Sequence, residues 1–105
     1  MEIVFEKEYL SQLYYKGDSG DKKHRFQPQI VKKYINTVNL LESIQKPDDL
    51  YRYRALNYEK LLGDKEGTES VRINDKYRIE FRTYPSEKET RIVICSIIEL
   101  SNHYK

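Results

Sequence analysis

With 105 residues, the chain has the length of one domain spanning 1–105, able to bury a single modest core. Its 38% hydrophobic and 34% charged residues and net charge of +2 describe a well-solvated globule. No apolar run reaches the length of a bilayer span, the start "MEIVFEKEYL" lacks the pattern of an export signal, and one cysteine rules out an intrachain disulfide. A cytoplasmic protein with no membrane partner is the expectation.

In chain order, Glu2 to Phe5 is a short strand candidate. Glu6 to Lys16 is helix-like, with Tyr9, Leu10, Leu13 and Tyr14 forming a narrow apolar stripe. "KGDSGDKKHRF" reads as an exposed loop, with His24 solvated among cations. From Pro28 to about Gln45, apolar residues recur every three or four positions, which predicts a helix opened by one proline and ended by Pro47. The stretch from Arg54 to Leu62 alternates loosely and predicts a strand; Gly63 and Gly67 then bracket a charged loop. Arg91 to Leu100 is apolar on both faces, as in an interior strand, and makes Cys95 a buried small hydrophobe.

The segment "ESVRINDKYRIEFR", Glu69 to Arg82, is the most legible. Val71, Ile73, Tyr77, Ile79 and Phe81 mark two alternating runs, and Asn-Asp-Lys between them is turn chemistry. If both runs share an apolar face, Ile73 faces Tyr77, Val71 faces Ile79 and Arg72 stands opposite Arg78. Like charges directly opposed in a sheet are destabilising. Two guanidiniums on an open face repel until an anion arrives between them, and arginine suits a forked grip on phosphate. The competing reading is that Glu69, Glu80 or Glu99 neutralises the pair in place.

Six of the seven arginines lie in residues 51–105, which carry eleven Lys and Arg against nine Asp and Glu. That asymmetry is a weak pointer to nucleic acid. Ten tyrosines and no tryptophan are unusual. Tyr34 and Tyr77 suit core edges, whereas Tyr51, Tyr53, Tyr58 and Tyr104 sit among cations, where aromatics can stack bases. Two helices followed by three or four mostly antiparallel strands make a small α+β domain, helices on one sheet face and Arg72, Arg78, Glu80 and Arg82 on the other.

The run "LNYEKLLGDKEGTESVRINDKYRIEFR", with "IIELSNHYK" near the end, resembles the RelE/HigB-type toxins of bacterial toxin–antitoxin modules, the plasmid maintenance system killer branch. The shared pattern is Gly63-Asp64, Gly67, Ser70-Val71-Arg72-Ile73-Asn74, Tyr77-Arg78-Ile79 and Asn102-His103-Tyr104. The resemblance implies a RelE/ParE-like fold with two N-terminal helices on one face of a small, mostly antiparallel sheet. It implies a ribosome-associated mRNA endonuclease that uses no metal and no cofactor, silenced by a cognate antitoxin of helix-turn-helix type encoded next to it. Arg72 and Arg78 would grip the phosphate, Lys60 would serve as a third cation, His103 would carry protons, and Tyr104 would stack a base or assist. Lys65, Arg82, Arg54 and Asn102 complete the surface assigned to mRNA. Relatives often carry a histidine in the strand before the Gly-Asp loop and a lysine just before its glycine. Here Leu62 precedes Gly63 and the strand offers Asn57, Glu59 and Lys60, so Lys60 is the expected substitute. The alternatives are a non-catalytic binder of the same fold and a gyrase-targeting ParE-like toxin.

Overall fold

The computed structural model describes residues 1–89 and 91–102. β1 is Glu2–Phe5, α1 Glu8–Lys16, α2 Pro28–Ser43, β2 Glu59–Lys60, β3 Glu69–Arg72, β4 Tyr77–Pro85 and β5 Val93–Asn102. Five strands form one sheet in the order β1-β5-β4-β3-β2: the short strand expected at the start of the chain and four more after the helices. β1 runs parallel to β5 and every other pairing is antiparallel. No helix among the described residues is long and apolar enough to cross a membrane.

α1 begins two residues later than its pattern suggested, because the Glu6 amide is still in the sheet, donating to the Ile97 carbonyl at 2.9 Å. Gly17 closes it in the left-handed conformation, φ 73°. α2 stops at Ser43 because Ile44 turns extended, and Lys46 before Pro47 is extended too. The expected strand from Arg54 is the largest departure. Residues Pro47–Arg52 and Arg54–Leu56 form tight 3₁₀ turns, closed by Tyr53 to Leu50, Leu56 to Tyr53 and Asn57 to Arg54 bonds. Leu50 and Tyr58 are the buried anchors of this stretch, and only Glu59 and Lys60 pair as β2.

The core lies between the helices and one sheet face. Leu10, Leu13, Tyr34, Val38 and Leu41 meet Val71, Ile79, Phe81, Cys95 and Ile97. Tyr34, expected at a core edge, is wholly buried, its hydroxyl donating to the Leu10 carbonyl at 2.8 Å. Burial pushes the Cys95 thiol up to about 12, so it stays protonated and inert. His24 is not the solvated loop residue expected. It stacks on Tyr9 with ring centroids 3.7 Å apart and bonds Asp21 at 3.2 Å.

The β3–β4 hairpin has the register its alternation predicted: Val71 faces Ile79 and Arg72 faces Arg78. Asn74 makes the turn, its side-chain oxygen accepting from the amides of Lys76 at 2.9 Å and Tyr77 at 2.7 Å. Between β4 and β5 the register slips after Glu80, leaving Ile98 as the extra residue of a bulge. Glu80 and Glu99 stand opposite at that bulge and diverge to different partners. Glu80 takes Lys65 and Arg78, whereas Glu99 takes Lys7 at 3.5 Å and the Tyr9 hydroxyl.

Candidate active site

The even-numbered residues of β3 and β4 point away from the helices. Ser70, Arg72, Arg78, Glu80 and Arg82 therefore share the open sheet face. Arg72 and Arg78 line a small cleft of about 40 Å³ with Asn57, Glu59, Ser70, Asn74 and Tyr77. The opposed pair exists, and the competing reading of it is partly right. Arg72 Nη2 lies 3.2 Å from Asp75, a carboxylate 92% exposed in the adjoining turn. Arg78 donates from Nε to Glu80 Oε2 at 3.0 Å, and its Nη2 lies at the same distance.

These two pairings differ in kind. A surface pair such as Arg72–Asp75 contributes about 0–1 kcal/mol and exchanges readily for a stronger anion. Glu80 is 5% exposed and serves Lys65 as well, whose Nζ reaches its two oxygens at 2.9 and 2.8 Å. Two cations on one carboxylate leave positive charge in excess. A guanidinium has five N–H donors. Glu80 thus orients Arg78 while leaving donors on the cleft side, which is how a buried carboxylate preorganises a phosphate grip. Of the other expected neutralisers, Glu99 turns to Lys7 and Tyr9. Glu69 lies on the helix side of the sheet, accepting from Tyr58 and Thr83.

Burial pushes the Glu80 carboxyl up, but the bonds and charges of Lys65 and Arg78 outweigh it and hold the group below its usual 4.5. A carboxyl lowered on folding stabilises the fold above its unfolded value, and that contribution is lost as pH falls through the lowered value. Acidification below about pH 4 should therefore cut the thermal midpoint of the wild type more steeply than that of Glu80→Gln, in melts followed by circular dichroism.

Lys65 reaches this face through its loop. Gly63 and Gly67 adopt φ of 69° and 88°, which side chains resist, and the 3₁₀ turn Gly63–Lys65 between them folds back over the sheet. Lys60 does not join the arginines. β2 does pair alongside β3, but Lys60 stands opposite Glu69 and so on the helix side. Glu59, opposite Ser70, occupies the cleft, its carboxylate accepting from the Asn57 side-chain Nδ2 at 3.0 Å. Lys65 is thus the lysine that joins the arginines through Glu80, and Glu59 is a cleft residue that sequence reading did not single out. Its signal, a carboxylate adjacent to Lys60, became visible only once the register was known.

Arg82 is exposed on the arginine face, opposite Ser96, and Arg54 is exposed in its 3₁₀ turn. The register gives Ser101, opposite Arg78, to the arginine face, whereas Asn102 stands opposite Tyr77. Tyr58 is not available for stacking bases, being buried with its hydroxyl on Glu69, while Tyr51 and Tyr53 are exposed. His103 and Tyr104 lie outside the described residues.

A family model described as the RelE-like toxin of the type II toxin–antitoxin system HigB matches residues 3–93. Toxin HigB-1 of Vibrio cholerae is 29% identical over 83 residues, which cover 78% of this chain and 83% of that protein. Among solved structures, the YoeB/ParE toxin from Agrobacterium tumefaciens superposes with a TM-score of 0.53 at 20% identity, covering 99% of this chain and all of the other. The toxin chain of the YoeB–YefM complex from Staphylococcus aureus gives 0.50 at 23% identity, covering 99% and 98%. At these identities the structural likenesses speak for the fold alone.

Proposed function

Because the chain belongs to the HigB-like family of RelE-like toxins of type II toxin–antitoxin systems, we propose that it stops translation by cutting mRNA on the ribosome. The observation that supports this most is the pairing of Arg72 with Arg78 across β3 and β4 on an open sheet face. In this reading the scissile phosphate sits between the two guanidiniums, displacing Asp75 from Arg72. The 2′-oxygen attacks phosphorus, a 2′-O–P bond forms and the P–O5′ bond breaks. Glu59 accepts the 2′-hydroxyl proton and His103 supplies one to the departing 5′-oxygen, leaving a 2′,3′-cyclic phosphate and a 5′-hydroxyl. Arg72, Arg78 and Lys65 stabilise the extra charge on the phosphorane, and no step calls on a metal ion. In the same reading Arg82 on the arginine face, the exposed Arg54 and Asn102 at the end of β5 contact RNA beyond the cut, and Tyr104 stacks a base.

The partner is an antitoxin. The Staphylococcus aureus neighbour was solved with YefM as a toxin–antitoxin complex, and we extend that partnership to a cognate helix-turn-helix protein encoded next to this chain.

Induction in a bacterial host tests the reading. The wild type should arrest growth with loss of protein synthesis. Glu59→Gln should lower RNA cleavage about 10²-fold while RNA affinity stays within a few fold, as expected for loss of a general base. DNA-damage signalling with translation intact would overturn the assignment in favour of gyrase.

A further inference from the structure

The last pairing of β1 with β5 is Phe5 with Ile97, followed by the single bond from the Glu6 amide to the Ile97 carbonyl. Beyond the bulge at Ile98, residues 98–102 continue alongside β4, and among the described residues no strand pairs with their outer side. On that side the Leu100 amide is met instead by a side chain. Its N–H donates to the Tyr9 hydroxyl at 3.1 Å, and that hydroxyl directs its own proton to Glu99 Oε1 at 3.4 Å. The opposite edge of the same segment sets Leu100 against Ile79 and Ser101 against Arg78.

We propose that Tyr9 is a positioning residue of the site: its hydroxyl pegs the end of β5 on that outer side, and so fixes that end relative to Arg78. This rests on reading the arginine face as an RNA-cleaving site. Three features make Tyr9 suited to the task. The ring is 5% exposed, so it cannot swing away into solvent. It is clamped from the α1–α2 loop by the His24 ring, stacked at an interplanar angle of 6° and held by Asp21 through both its ring and its backbone amide. Burial, opposed by the Leu100 bond, raises the phenol to about 12, so the hydroxyl keeps its proton throughout the neutral range. The segment it holds carries Ser101, the residue paired with Arg78. A displacement of about 1 Å at a catalytic group is enough to slow a reaction some 10²-fold.

Tyr9→Phe tests this, since the ring and its stack on His24 remain and only the hydroxyl goes. The control is Tyr34→Phe, which removes another buried tyrosine hydroxyl, the one on the Leu10 carbonyl in the helix layer. Amide exchange by NMR and single-turnover cleavage of RNA on ribosomes are read on both variants and the wild type. In Tyr9→Phe, the Leu100 amide should exchange at least ten-fold faster, while Phe81 remains as protected as before. The cleavage rate constant should fall ten-fold or more with RNA affinity unchanged, and Tyr34→Phe should cut at the wild-type rate. Unchanged Leu100 exchange overturns the peg. Faster exchange with an unchanged rate constant, or equal slowing by both variants, overturns the positioning role. A wild type that cuts no RNA would instead sink the nuclease reading, and the exchange result would still decide whether the peg exists.

Discussion

Arg78→Ala is expected to lower the rate constant for RNA cleavage by about 10²–10³-fold, the usual consequence of removing one preorganised donor from a developing anion. Growth arrest on induction should disappear with it. Arg78 is the guanidinium that Glu80 holds in place, whereas Arg72 is tethered by an exposed turn carboxylate. Arg72→Ala should therefore act more through weakened RNA binding. Arg78→Lys should not restore the rate, because an ammonium cannot hold Glu80 and a phosphate along the same fork. The alanine variant leaves Glu80 with Lys65 alone. A melt is the necessary companion measurement: loss of cutting counts toward the site only if the variant melts as a folded protein.

The second large effect concerns the fold. Phe81 is fully buried in β4, opposite Glu69 on one side and Ile97 on the other, with its ring 6.4 Å from that of Tyr58. Phe81→Ala removes a ring from a core that cannot close the gap, which costs about 3–5 kcal/mol. Small domains have only about 5–15 kcal/mol in total. For a chain of this size the midpoint should drop by about 15 °C or more. Thermal unfolding followed by circular dichroism reads this directly, and a drop of under 5 °C would mean that the sheet and helices do not share the single core described above.

The β3–β4 hairpin was legible because three independent signals agree there: alternation with a period of two, an asparagine able to bond two amides of the turn, and apolar residues on one face. Those fix the register, and the register alone brings Arg72 and Arg78 together. α2 was legible for the same reason in its own period. The side of the sheet on which Lys60 falls was not. It depends on how β2 is aligned with β3 across the loop from Gly63 to Gly67, an alignment set by the Leu61 to Thr68 backbone bond, which no local pattern encodes. A one-residue change in that alignment exchanges Lys60 for Glu59 in the cleft. The role of Lys65 was hidden similarly: two left-handed glycines carry it back to a carboxylate fifteen positions along the chain. The parallel docking of β1 on β5 and the Tyr9 peg join residues about ninety positions apart, beyond the reach of periodicity.

The claim on which the function depends is that Arg72 and Arg78 hold a backbone phosphate of mRNA while it is cut. Mapping the 5′ ends of cellular mRNA after induction tests it most directly, comparing the wild type with Arg72→Ala/Arg78→Ala. The account predicts new 5′-hydroxyl ends within translated regions for the wild type, and none for a double variant that remains folded. Intact mRNA in arrested wild-type cells, or the same cuts made by the folded double variant, would contradict it.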